Sequence, residues 1–230
     1  MISIFKYSQS KELDVIGGKR STRLSNGPSS LVNLFVILDQ IVKMAGKLTD
    51  ADMDQLEQWV GTGQKTFTLL YAITRDGCAN TTFHQTCDNK GATVTVLYNE
   101  SGSVYGGYTS LSWNSNGQYV NDGNGFLFQL RFSGNTKATK FPVTNATNAQ
   151  HSHSTYGPTF GPEHDFHTFS GTINKSGTTF PLNGYMTGWG NSYSNQGVTA
   201  ANINNGTMNV SELEVYAIAG KWNEFTCNKI

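Results

Sequence analysis

The chain has 230 residues, 16 Lys+Arg against 16 Asp+Glu, and a formal net charge of zero. A neutral chain with no basic run lacks the electrostatic footprint of a nucleic-acid binder and cannot hold an anionic membrane surface. Only 14% of residues are charged and 37% are hydrophobic. Asn, Thr, Ser and Gly supply the remaining polarity, and because Asn and Gly weaken helix interiors this balance points to a turn-rich β protein.

The length suits one sizeable domain plus a short extension, with a core large enough to need no metal or disulfide. Three cysteines, Cys78, Cys87 and Cys227, form an odd set. They read as reduced thiols in a cytoplasmic protein, although Cys78 and Cys87 flank a predicted short helix and could in principle meet. No secretory signal pattern opens the sequence. The Asn-X-Ser/Thr triplets at Asn80, Asn99, Asn145, Asn174, Asn205 and Asn209 therefore read as chance products of the composition. Leu31–Val42 is the most apolar run, but it contains Asp39 and is shorter than the ~20 residues a bilayer requires, so no membrane span is expected.

In chain order, residues 1–43 read as an N-terminal extension that is not part of the native protein, since Met44 looks like a natural start. It comprises a mildly basic leader (Lys11, Lys19, Arg20, Arg23) and a Ser29- or Ser30-capped helix over Leu31–Ala45. The stripe Leu31, Leu34, Phe35, Leu38, Ile41 and Val42 has helical spacing. Gly17–Thr22 resembles a phosphate loop superficially, and Arg20 breaks the required Gly-Lys-Ser/Thr run. Thr49 caps a clearer helix, Asp50–Val60. Asp50 and Asp52 lie in its first turn, where the helix dipole favours negative charge, and Met53, Leu56 and Val60 form its buried stripe beside Trp59. Gly61 and Gly63 end it.

Phe67–Ile73, Thr93–Tyr98 and Val104–Tyr108 are rich in Val, Thr, Tyr and Leu and read as strands. Asp76-Gly77 is a turn signal. A short helix capped by Asn80, Thr81 or Thr82 carries Phe83 and Cys87 on one face and stops at Asn89-Lys90-Gly91. Asn99–Gly102 turns the second strand onto the third, and Gly106-Gly107 marks a bulge or the close approach of another backbone. After the strand end Ser110–Trp113, Asn114–Gly125 reads as a polar loop anchored by Tyr119 and Val120. Phe126–Phe132 reads as a strand covered on both faces, with Phe126, Phe128, Leu130 and Phe132 on one side and Leu127 on the other. Lys140–Val143 suits an edge, because Pro142 lacks a donor. Asn145–Ser154 shows no period and reads as a loop. Phe160, Phe166 and Phe169 are core candidates, and Phe180 and Leu182 mark another short strand. Tyr185–Gln196 is aromatic and Gly-rich without pattern, and Asn204-Asn205-Gly206 is a turn. Met208–Ile218 is the closing strand, where Leu213, Val215 and Ala217 alternate with Glu212, Glu214 and Tyr216. About eight short strands joined by Gly/Asn turns, with few helices, predict an α+β, mostly β fold. Its body is a two-sheet antiparallel β-sandwich flanked by helices.

The ordered segments LLYAITRDG, TFHQTCDNKG, TVTVLYNESGSVYGGYTS, GFLFQL and LEVYAI resemble a TLDc domain, over about residues 48–218. The domain is therefore assigned to residues 44–218, with 219–230 as a C-terminal tail. The resemblance implies a β-sandwich fold and a non-enzymatic regulatory role. TLDc proteins of the oxidation-resistance group are associated with oxidative-stress protection and binding of the vacuolar proton-pumping ATPase. The interferon-induced protein 44-like group, linked to innate immunity, joins this domain to a GTP-binding domain. The chain resembles the second group more than the first: the stretch YGPTFGPEHDFHTFSG lacks the long Gly run of the first, and Lys221-Trp222 is similar to the junction in the second, whose GTP-binding domain is absent from this sequence. Asp76, Gly77, Phe83, His84, Gly91, Gly106, Gly107, Tyr108, Phe126, Phe128, Leu213 and Val215 are the positions matching the family's motifs, and structural roles are expected for them.

Candidate chemistry is sparse. Glu163, His164, Asp165 and His167, with His151 and His153, have metal-ligating side chains, and His-x-His on a strand projects to one side. The run lies in an expected polar loop, however, and no Cys pair completes a zinc set, so no metal is assigned. His84 and Cys87 share a helix face, but a catalytic pair also needs access and a third group to orient the base. Asp88 is expected to point elsewhere. Gly190–Ser194 lacks the last Gly of a nucleophile elbow, and Gly123-Asn124-Gly125 precedes a strand where a dinucleotide loop would precede a helix. The expectation is a cytoplasmic interaction module with an unidentified protein partner and no cofactor. The alternatives are a thiol-dependent antioxidant enzyme using Cys78 or Cys87 and a vacuolar ATPase-binding regulator.

Overall fold

The computed structural model describes residues 46–220, all within one of the chain's two units, residues 41–230. The expected helix over Leu31–Ala45, the rest of the extension and the tail beyond Gly220 lie outside the described residues.

Helix α1, Asp50–Val60, is bounded by Thr49 and Gly61. Thr49 and Asp52 form a reciprocal capping box, which satisfies two of the backbone N–H groups left orphaned at a helix start. Asp52 also receives both arms of Arg131, at 2.8 Å each, so one carboxylate starts the helix and pins it to a strand. Burial pushes that carboxyl up, but Arg131 and the Thr49 contacts outweigh it and hold it below its usual range.

An antiparallel seven-stranded sheet runs in the order β1 (Lys65–Ala72), β13 (Asn209–Gly220), β3 (Thr93–Asn99), β4 (Val104–Thr109), β6 (Phe126–Phe132), β7 (Asn135–Pro142), with β12 (Phe180–Pro181) pairing at the end of β13. Strand alternation divides its side chains between two cores. Leu97, Tyr105, Leu127, Leu213 and Val215 enter one. Val94, Val96, Phe126, Phe128, Leu130, Tyr216 and Ile218 enter the other, under α1. Leu127 and Phe128 are both buried, as expected of a strand covered on both faces.

The first core is closed by a second layer. Its four-stranded sheet has the order β10 (Phe166–His167), β9 (Thr159–Phe160), β8 (Gln150–His153), β5 (Asn116–Val120). The ribbon β2 (Cys78–Ala79) with β11 (Thr172–Ile173) and the helix α3 (Asn80–Cys87) complete the layer. Phe160 and Phe166 stack at 6.0 Å and reach the large sheet through Trp113 and Tyr105. The fold is thus α+β and mostly β, with antiparallel sheets face to face.

Several local expectations are corrected. Asn114–Gly125 and Asn145–Ser154 are not plain loops: they contribute β5 and β8, and Tyr119 is exposed where a buried anchor was expected. Asp76-Gly77 closes a single helical turn, α2 (Ile73–Asp76). Helix α3 starts after Ala79 without a side-chain cap, so none of Asn80, Thr81 or Thr82 caps it. The edge strand is longer than Lys140–Val143, and the closing strand runs past Ile218 to Gly220, which pairs with Lys65. Among the described residues thirteen strands replace the expected eight or so, because several span only two residues and leave no period to read.

Candidate interaction surface

On β8, His151 and His153 are two apart and therefore share a face, while Gln150 and Ser152 take the other. Tyr119 of β5 is the cross-strand partner of His151, and Phe160 on β9 pairs with Phe166 on β10. Since Phe160 and Phe166 point into the core, their neighbours Thr159 and His167, also paired, point outward. Register alone thus paves the outer face of the small sheet with Tyr119, His151, His153 and His167.

Loops add three more rings. Tyr156 lies 5.4 Å from His151 and 4.8 Å from His167, and His164 lies 6.2 Å from His151 and 5.0 Å from His167. Tyr185 lies 5.0 Å from His164, and Tyr119 stacks on His151 at 4.0 Å. Tyr119 at 41% and Tyr185 at 40% are the exposed large hydrophobic side chains among the described residues, and both border this patch. His164 adopts φ +62°, in the left-handed region, which turns its ring into the cluster.

The imidazoles of the floor are held neutral. Burial lowers His151 to about 4 and His167 to about 3, each helped by the neighbouring rings, and burial also lowers His164. His167 is satisfied by Thr159 and Ser170, at 2.8 and 2.9 Å. Nδ1 of His151 and Nε2 of His164 are buried without a protein partner. Neither neighbouring carboxylate serves this floor. Asp165 accepts the backbone N–H groups of Gly190, Asn191, Ser192 and Tyr193 at 2.9–3.3 Å, and Glu163 accepts Asn191 Nδ2 at 2.8 Å. Four of the six residues weighed as metal ligands therefore converge, while the two acids turn away. Among the described residues no group of three or more His, Cys, Asp or Glu is placed to hold a metal ion.

His84 lies behind the patch. Its Nδ1 is 2.8 Å from Asp88 Oδ1, and its Nε2 is 3.0 Å from the carbonyls of both His153 and Tyr156. Asp88, expected to point elsewhere, is one helical turn away, and Ser115 donates to its other oxygen. Both ring nitrogens of His84 are engaged by oxygens of Asp88, His153 and Tyr156, so neither is directed at a thiol. Cys87 is buried against Thr86, and burial pushes its thiol up to about 12, as it does that of Cys78.

The remaining motif positions sit in the scaffold. Asp76 accepts the Ala72 N–H and both arms of Arg75, and the Gly77 carbonyl accepts Tyr71 Oη–H. Phe83, Leu213 and Val215 are core, and Gly91 has φ +78°. Gly106 has no room for a side chain: a Cβ would stand 1.8 Å from the Thr95 carbonyl oxygen. At Gly107 a Cβ would stand 2.7 Å from the Phe160 ring. Tyr108 stacks on Phe126 at 4.9 Å beside Phe128. Near them a cleft of about 400 Å³ is lined by Trp59, Tyr108, Ser110, Asn124, Lys140 and Val143, among others. Its lining contains no carboxylate, thiol or imidazole.

Sequence reasoning did not single out Tyr119, Tyr156 or Tyr185 as surface residues. The available signal is the His-x-His alternation, which lies in a stretch without periodicity that reads as a loop. Compared with known families, residues 47–219 match the TLDc domain. No curated protein matches the chain. Among the described residues no helix is long and apolar enough to cross a membrane.

Proposed function

The chain belongs to the TLDc domain family, and on that premise we propose that it is a non-enzymatic protein-interaction module that docks its partner on the Tyr119–Tyr185 patch. One observation carries the reading. The large hydrophobic side chains left exposed among the described residues are two tyrosines on a single aromatic floor. Tyrosine is enriched where interfaces concentrate their binding energy, since it offers a wide rigid contact and a polar tip at low entropic cost. The buried thiols and the fully engaged His84 favour this reading over thiol-dependent antioxidant chemistry. The partner class follows from the resemblance: a cytoplasmic protein of the innate immune or oxidative-stress response, with the vacuolar ATPase as the competing candidate.

The test is affinity capture from cell extract with the full chain against its Tyr119→Ser/Tyr185→Ser variant. A protein retained by the parent and lost by the variant is expected, and identical capture by both overturns the assignment of the patch. The antioxidant alternative predicts peroxide consumption abolished by Cys87→Ala, and that result would overturn the non-enzymatic reading. On the reading proposed, Cys78 and Cys87 resist thiol reagents until the protein is unfolded.

A further inference from the structure

We propose that the imidazole floor of this patch is an acid-sensitive latch: proton uptake by His151, His164 and His167 loosens the four-stranded sheet and dismantles the Tyr119–Tyr185 surface, while the seven-stranded sheet stays folded. The functional consequence, release of the docked partner on acidification, rests on the reading above. The opening itself does not.

Side chains from several elements surround the three rings. From β5 comes Tyr119, and from β8 comes His153. The loop after β8 supplies Tyr156, β9 supplies Thr159, the segment after β10 supplies Ser170, and the 183–191 loop supplies Tyr185. None of these side chains is a carboxylate, and His153 adds a further imidazole. The carboxylates of the neighbourhood are engaged elsewhere: Glu163 with Asn191, Asp165 with the amides of 190–193, and Asp88 with His84 and Ser115. A proton arriving here finds no counter-ion, and a second finds a like charge with ring centroids only 5.0–6.2 Å apart. Relief comes by moving the rings into water.

The layer that carries them is poorly held. β9 and β10 pair over two residues, and β8 meets β9 through the single pair Gln150–Phe160. By contrast, β3 and β13 pair along most of their length and are buried on both faces. Local opening draws on the least supported segments, so the small sheet responds first.

The sign of the effect follows from linkage. An opened segment takes up protons near the ordinary histidine value of 6.5, whereas the closed floor does so only near 4 at His151 and near 3 at His167. The open form therefore binds more protons between about 6.5 and about 3, and acid favours opening progressively across that window.

The test is amide hydrogen exchange of the full chain at about pH 7 and about pH 5, corrected for the intrinsic pH dependence of exchange. Peptides covering 116–120, 150–153 and 159–167 are expected to exchange about tenfold faster at the lower pH, while those covering 93–99 and 209–220 change less than about twofold. An equal change in both sheets, or none in either, overturns the latch. His164→Asn removes the ring that touches both other imidazoles and keeps a residue suited to a left-handed backbone. It should lose at least about half of the acid response, and an undiminished response also overturns the proposal. No partner enters this experiment. A negative result ends the latch and leaves the docking surface standing, while unchanged capture by the tyrosine variant ends the docking surface and leaves the latch standing.

Discussion

The two sheets of this domain solve opposite problems with the same alternation. In the large sheet both faces of β3, β4 and β13 are covered, and apolar residues dominate both beside the buried Glu212 and Glu214, so most of its side chains serve cohesion. In the small sheet one face carries Phe160 and Phe166 into the core, and the other carries tyrosine and histidine outward. An apolar outer face would cement another layer in place. On the reading proposed above, a ring-rich, polar-tipped one adheres reversibly and answers to pH. That reading gives cohesion and recognition to different layers, and the contrast can be attacked from either side.

The harshest attack is on the seam. Phe160 stacks on Phe166, meets Trp113 edge-on at 5.7 Å and sits against Gly107 of the large sheet. Phe160→Ala should cost about 4 kcal/mol in urea unfolding, in line with deletion of a fully buried aromatic. Next comes Gly106→Ala, expected to cost about 3 kcal/mol, because its Cβ meets the carbonyl of β3, a backbone group that cannot rotate away. Gly107→Ala should cost less, about 1–2 kcal/mol, since the obstacle there is a side-chain ring that can shift. Equal losses at the two glycines would contradict the distinction between a backbone and a side-chain contact.

The same contrast explains what could be read beforehand. The long strands announced themselves through period and β-branched content: Thr93–Tyr98, Val104–Tyr108 and Phe126–Phe132 each fall within a residue of the observed element. Thr49 marks the start of α1 for a local reason, because an N-cap accepts a backbone N–H only three residues on. The outer patch had no such signal. β5 is Asn-Gly-Gln-Tyr-Val and β8 is Gln-His-Ser-His, compositions that favour loops, and both are strands only because they pair with each other. His164 and Tyr185 come from irregular segments 21 residues apart, and only the tertiary fold brings them together. Asp88 differs: its i, i+4 spacing from His84 is legible in the sequence and places the two side chains in reach of each other.

The gentlest test concerns the patch itself. Tyr119 stacks on His151 and donates its hydroxyl to the Pro162 carbonyl at 3.0 Å, and Tyr185 contacts His164 through its hydroxyl at 3.3 Å. Both side chains are well exposed, so much of their apolar surface is already in water and little burial is lost on truncation. Tyr119→Ser with Tyr185→Ser should therefore lower stability by no more than about 1 kcal/mol, close to the range for surface substitutions. A loss of several kcal/mol would place these tyrosines with the core aromatics and erase the division between the layers. A small loss, with the acid response of β5 and β8 preserved, would mean that the rings above the floor serve contact and the imidazoles below it serve control.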